Sequence, residues 1–325
     1  MRLPAIAAIL LLAAAPATLT AQANSISASD KAEGAQAHPQ LLQQYGGAMR
    51  GPQAALVERV GKRVAVQSGL SGASSDFTVT LLNSPVENAF AIPGGYVYVT
   101  RQLLALMNSE AELASVLGHE VGHVAARHSA KRQTRSVIGG LAAAAIGAVT
   151  KSDLAGRAAS YGTQLYTLGF SRQQEYEADG LGVRYITAAG YTPYAAADML
   201  AELNDETELQ AAVAGQRSSQ PTFMSTHPNG PDRVARAQKL AQATGAPDTT
   251  ERQDAQFLRM LDGLPYDDGS KVVRVLTVRP GDTVQSLGSR MAYADHQVDR
   301  FTVLNALDPN APLKPGTLVK IIAAR

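Results

Sequence analysis

The chain has 325 residues, 45% of them hydrophobic, and a formal charge of +1. This is enough apolar material for one large or two modest cores, which excludes a disordered chain, and nothing in the charge points to a nucleic-acid partner. Cysteine is absent, so disulfides are excluded and any metal site must draw on histidine and carboxylate.

The opening stretch, MRLPAIAAILLLAAAPATLTAQA, places Arg2 before an apolar run and ends in the small-x-small pattern Ala21-Gln22-Ala23. It reads as a cleavable secretory signal peptide over residues 1–23. The run is short for a membrane span, which needs about 20 residues. No cysteine follows the cleavage point, so a lipid anchor through that residue is ruled out. Residues 24–50 are small and polar and read as a loose leader. Residues 52–68 carry apolar positions at helical spacing. Alternating Phe77, Val79 and Leu81 predict a strand, Pro93-Gly94-Gly95 a turn, and YVYVT (96–100) another strand. Together they predict a small antiparallel sheet beside helices.

Ser109 is an N-cap candidate, and Glu112 completes a capping-box pattern. Leu113, Val116, Leu117, Val121 and Val124 follow as an apolar stripe. LGHEVGHVAARH (117–128) therefore lies on a helix. The segment Val137 to Val149 is uncharged and, at thirteen residues, too short to cross a bilayer; it reads as a buried helix or a lid. Ser171 and Gln174 open a second helix that stops at Gly190, and Pro193 opens another. Residues 215–223 read as a loop, 231–245 as a helix and 246–270 as a polar linker. Lys271 to Arg325 carries eight Lys/Arg against four Asp/Glu, a mildly basic end.

Three of the six histidines fall within the stretch 117–128. His119 and His123, four residues apart on one helical face, can aim ring nitrogens at one metal ion. Glu120 beside them can take a proton from a metal-bound water as general base. His128 fails as the third ligand. The HExxHxxGxxH pattern needs glycine at 126 and histidine at 129, where this chain has Ala126 and Ser129. On a continuous helix His128 points about 140° away from His123, which leaves it a packing or hydrogen-bonding role. The better third ligand is Glu175. Asp179 shares its face and can accept the other ring N–H of a ligand histidine, whereas Glu177 lies on another face.

Three motifs, HExGHxxxRH (119–128), SRxxEYEAD (171–179) and NAFAIPGGYVYVTRQLL (88–104), resemble the gluzincin metallopeptidases that include the CAAX prenyl protease and HtpX, and more closely their soluble periplasmic members of the BepA type. The resemblance covers roughly residues 50–245. It implies an α+β, mainly helical zincin-type domain and a zinc endopeptidase, with one Zn2+ on His119, His123 and Glu175, and Glu120 as base. It also implies that Asn88, Ala89, Phe90 and Ala91 border the cleft and hold substrate backbone as an added strand. STHPNGPDR (225–233) resembles a further family element, which would bring His227 to the metal site with Arg233 nearby. His227 would then either donate to the oxyanion of the tetrahedral intermediate or occupy the fourth zinc position and close the site.

After residue 245 the BepA pattern would continue with helical repeats, which this chain lacks. Residues 272–322 instead resemble a LysM module, a small strand–helix–helix–strand unit that binds N-acetylglucosamine polymers. The expected organisation is a signal peptide (1–23), leader (24–50), metallopeptidase domain (51–245), linker (246–270) and LysM-like domain (271–325). The leading expectation is a periplasmic endopeptidase cutting unfolded or misassembled envelope proteins, with possible peptidoglycan contact through residues 271–325. The alternatives are a peptidoglycan-anchored chaperone or scaffold with a latched metal site, and a hydrolase of peptidoglycan crosslinks.

Overall fold

The computed structural model describes residues 25–128, 169–213, 223–227, 231–249 and 253–325. The signal sequence and the apolar segment Val137–Val149 lie outside the described residues. Among the described residues no helix is long and apolar enough to cross a membrane.

Two helices precede the sheet: α1 (Ala28–Gln44) and α2 (Pro52–Ala65). Part of the leader is thus a helix. A Ser27–Asp30 capping box starts it, and Leu41 and Tyr45 pack with Phe90 and Tyr98. Its polar composition hid this, because few side chains anchor it. Strands β1 (Thr78–Leu82), β2 (Ala89–Ile92) and β3 (Tyr96–Thr100) form a sheet in the order β1-β3-β2. The expected antiparallel sheet is mixed. The Pro93–Gly95 turn makes β2 and β3 an antiparallel hairpin, while β1 runs parallel to β3. The chain turns back after β1 but leaves a gap that β3 then fills between β1 and β2, which alternation in the sequence cannot reveal.

The short α3 (Arg101–Leu106) leads into α4 (Glu110–Ala125), which carries the histidine pair. The Ser109 side chain accepts from the Glu112 N–H at 3.2 Å, as expected of a cap. The Glu112 carboxylate, however, accepts from the Asn108 N–H at 2.5 Å. Helix α5 (Arg172–Ala188) opens with both halves of the Ser171–Gln174 capping box. Then follow α6 (Ala195–Val213), the one-turn α7 (Phe223–Thr226) and α8 (Pro231–Ala243).

The stretch read as a linker carries α9 (Ala255–Leu261), with Phe257, Leu258, Leu261 and Leu264 all buried. Few apolar residues suffice here because nearly all of them point inward. A second sheet, β4-β5-β6, is antiparallel throughout: β4 (Pro265–Tyr266), β5 (Lys271–Thr277) and, after helices α10 (Val284–Gly288) and α11 (Gln297–Leu304), β6 (Leu318–Ala324). One apolar core runs from α2 and α4 through α9 to Val273, Phe301 and Ile321.

Lys320 of β6 pins this C-terminal unit to the helices before it. Its Nζ donates to the carbonyls of Ala105, Leu106 and Met107, at 2.7, 2.8 and 2.7 Å. These lie at the C-terminal end of α3, where a cation complements the helix dipole. Burial lowers the Lys320 pKa and raises those of Glu112 and Glu202, and attraction between the lysine and the two carboxyls opposes both shifts. Lys320→Met keeps most of the volume but strands three buried carbonyls and both carboxyls. The expected loss is about 3–5 kcal/mol of unfolding free energy, read from urea denaturation. A change below about 1 kcal/mol would mean that the contact does not hold the two parts together.

Candidate metal centre

Helices α4 and α5 cross closely because glycine faces backbone at the crossing. A Cβ on Gly122 would come within 2.9 Å of the Ala178 carbonyl oxygen, and one on Gly182 within 3.1 Å of the His119 nitrogen. The motifs on the two helices therefore meet, and their polar side chains are buried together.

His119, His123, Glu175 and His227 each offer one donor atom, all within 4.8 Å of one another. The Nε2 atoms of His119 and His123 are 2.9 Å apart. Each lies 3.5 Å from an oxygen of Glu175. His227 Nδ1 is 3.2 Å from both His119 Nε2 and Glu175 Oε1. A tetrahedral zinc ion with bonds of about 2.0–2.1 Å places its ligand atoms roughly 3.3–3.4 Å apart, and the observed spacings bracket that value. Glu175 Oε2 lies 2.8 Å from Arg233 Nη1, an ion pair that holds the carboxylate among the histidines. Three imidazoles and one carboxylate suit zinc, and the site fits it.

The supports are equally specific. His119 Nδ1 sits 3.0 Å from Asp179 Oδ1. Arg233 from α8, 2% exposed, donates to both oxygens of Asp179, at 2.9 and 2.7 Å. It also donates to the His227 carbonyl at 3.4 Å. His227 is held by its own segment, in which the Phe223 N–H donates to the Glu87 carbonyl and the His227 N–H to the Phe223 carbonyl. Phe170 stacks on His123 with centroids 3.8 Å apart.

These contacts set the ionisation. Burial disfavours a charged His119, but hydrogen bonds to Asp179 and Glu175 outweigh it and raise the ring to about 9. Burial, reinforced by the charges of His119 and His227, lowers His123 well below its ordinary value. Burial alone would raise Glu175, yet the charge of His227 and hydrogen bonds from His119 and His227 hold it well below the carboxylate range. Burial raises Glu120, and its Oε1, 3.5 Å from His227 Nε2, has no hydrogen-bond partner among the described residues.

All four donors singled out in the sequence converge, as do Glu120, Asp179 and Arg233. Ala89, Phe90 and Ala91 lie on β2, an outer strand of the sheet that runs beside α4. A pocket beside them is lined by Ala91, Pro93, His123 and Arg127 together with Ile26 and Asp30 of the N-terminal segment. Asn88 just precedes β2 and is buried, its N–H bonded to Thr100 Oγ1 at 3.0 Å. Phe90 turns away to stack on Tyr98. The geometry expected for His128 needs correction. Helix α4 stops at Ala125, and Arg127 adopts a left-handed φ of 54°, so His128 returns to His123 instead of pointing 140° away. It contacts Nδ1 of His123, the side away from the other donors. Without a glycine nearby, the sequence carried no signal for that bend.

A buried HExxH helix crossed by a helix that supplies a glutamate defines a metallopeptidase. The model of Peptidase family M48 matches residues 52–241, more than half of the chain, and the chain belongs to that family. It is 33% identical over 211 residues to the mitochondrial metalloendopeptidase OMA1 of Schizosaccharomyces pombe, covering 62% of this chain and 58% of that one. It is 26% identical over 279 residues to the beta-barrel assembly-enhancing protease of Yersinia pestis, covering 81% and 55%. With the protein of that name from Escherichia coli K12 it shares 32% over 185 residues, covering 54% and 36%. The chain thus spans less than two thirds of each of these relatives.

Asp179→Asn keeps the shape but removes the charge that orients His119. Zinc affinity, measured by competition with a chromophoric chelator, is expected to fall about 10- to 100-fold. Unchanged affinity would remove Asp179 from the site's supports.

Proposed function

We propose that this protein is a zinc endopeptidase binding one Zn2+ per chain through His119, His123 and Glu175, with Glu120 as general base. The observation that carries it is a buried Glu120 carboxylate, its Oε1 without a hydrogen bond among the described residues, beside four converging metal donors. Zinc, when bound, supplies Lewis acidity that polarises a peptide carbonyl and acidifies water. Glu120 takes the proton of the attacking water and passes it to the leaving amine. Arg233 holds Asp179 and Glu175 in place against their mutual repulsion. An extended substrate lies along β2, the outer strand next to α4, adding its own backbone to the sheet edge.

The substrates proposed are unfolded or misassembled envelope proteins, met in the periplasm after export. The N-terminal signal pattern and the likeness to beta-barrel assembly-enhancing proteases support this. The order β5-α10-α11-β6 supports the LysM-like reading of residues 271–325, and with it contact to peptidoglycan.

A second state is favoured by His227. Its Nδ1 lies among the donor atoms, where it would fill the open position that catalysis needs. In this reading the resting site is latched, and without release the protein would act as a binding protein. Two outcomes follow for casein digestion by the zinc-loaded mature chain. Glu120→Gln is expected to lower kcat about 10²- to 10⁴-fold, and activity equal to wild type would end the assignment of the base. His227→Ala is expected to raise the cleavage rate by opening the fourth position, whereas a fall would assign His227 to oxyanion stabilisation instead.

A further inference from the structure

A histidine that binds metal through Nε2 carries its proton on Nδ1, and when buried that proton needs an acceptor. His119 finds one in Asp179. Among the described residues, no carboxylate contacts His123 on that side. Its Nδ1 lies 2.9 Å from Nδ1 of His128, whose Nε2 lies 3.1 Å from Glu177 Oε2. We propose that His128 and Glu177 form a positioning relay for His123. The His123 Nδ1–H donates to the bare Nδ1 of His128, and the His128 Nε2–H donates to Glu177. The relay rests on the zinc reading above and fixes which nitrogen of His123 faces the metal.

The fold is arranged around this contact. Arg127 is exposed and takes the left-handed conformation, and the next residue, His128, is completely buried. The His123 and His128 rings meet at 71°, which lets the N–H of one point at the lone pair of the other. Phe170 stacks on the face of His123 at 28° and limits its rotation. The first turns of α5 serve both sides. Gln174 donates to the His128 carbonyl at 3.4 Å, Glu175 joins the donor cluster, and Glu177 meets the His128 ring. Glu177 is half exposed, so the relay ends at solvent.

The test uses the full mature chain and measures zinc affinity by chelator competition, together with 15N-detected NMR of the histidine rings. His128→Phe fills the space without an acceptor and is expected to weaken zinc about 10- to 100-fold. His128→Asn restores an acceptor near the Nδ1 position and should recover most of that loss. Glu177→Ala, at an exposed position that cannot disturb the core, should fall between them. Zinc-loaded wild type should show a slowly exchanging proton on His123 Nδ1 that His128→Phe loses. Equal affinity in His128→Phe, Glu177→Ala and wild type would overturn the relay while leaving zinc binding intact. So would equal weakening by Phe and Asn, since space rather than hydrogen bonding would then matter. A wild type that takes up no zinc would overturn the metal reading and the relay together.

Discussion

The centre depends on how closely α4 and α5 approach. Gly122 and Gly182 let backbone meet backbone at the crossing, and side chains there would push the helices apart. That approach sets Glu175 of one helix 3.5 Å from the Nε2 atoms of the other. The glycine in the middle of HEVGH is therefore part of the site's geometry. A helix ordinarily loses stability at an internal glycine, by about 1 kcal/mol relative to alanine. Here that loss is offset by a contact no larger residue could make.

Close approach creates a second problem, which is charge. Three imidazoles and three carboxylates share a volume nearly closed to water. Isolated buried ions are strongly disfavoured, so each must be paired. Arg233 meets Asp179 and Glu175 at once and ties the His227 segment to them through a carbonyl. The same logic recurs at the far side of α4, where Lys320 sits among carbonyls with Glu112 and Glu202 nearby. A buried cation from a later part of the chain thus fixes the end of α3 that leads into the HExxH helix, and another fixes the α5 carboxylates packed against it. The C-terminal unit is joined to the rest by shared core and by this lysine, not by a free tether.

Much of this was legible in the sequence. HExxH states its own chemistry, and Glu175 and Asp179 follow from helical spacing once a third ligand is sought. The Ser171–Gln174 cap was readable because capping is local. What the sequence hid was non-local or lacked a marker. The parallel pairing of β1 with β3 depends on β3 inserting between β1 and β2, which no alternation encodes. Glu112 matches a capping box, but its carboxylate is drawn to Asn108 in the buried cluster with Lys320. The left-handed Arg127 breaks α4 where no glycine announces it, and so the role of His128, with Glu177 as its partner, could not be read from periodicity. Lys320, one of eight basic residues in the C-terminal segment, gave no sign of burial.

The central claim is that His119, His123 and Glu175, from two crossing helices, hold one metal ion, with His227 within reach of the fourth position. X-ray absorption at the zinc edge, on the purified protein, tests it most directly. The account predicts one zinc per chain, with imidazole scattering and a first shell of nitrogen and oxygen at about 2.0–2.1 Å. The latched form adds a third imidazole to that shell. A protein that retains no zinc, or a shell without imidazole, would contradict the account.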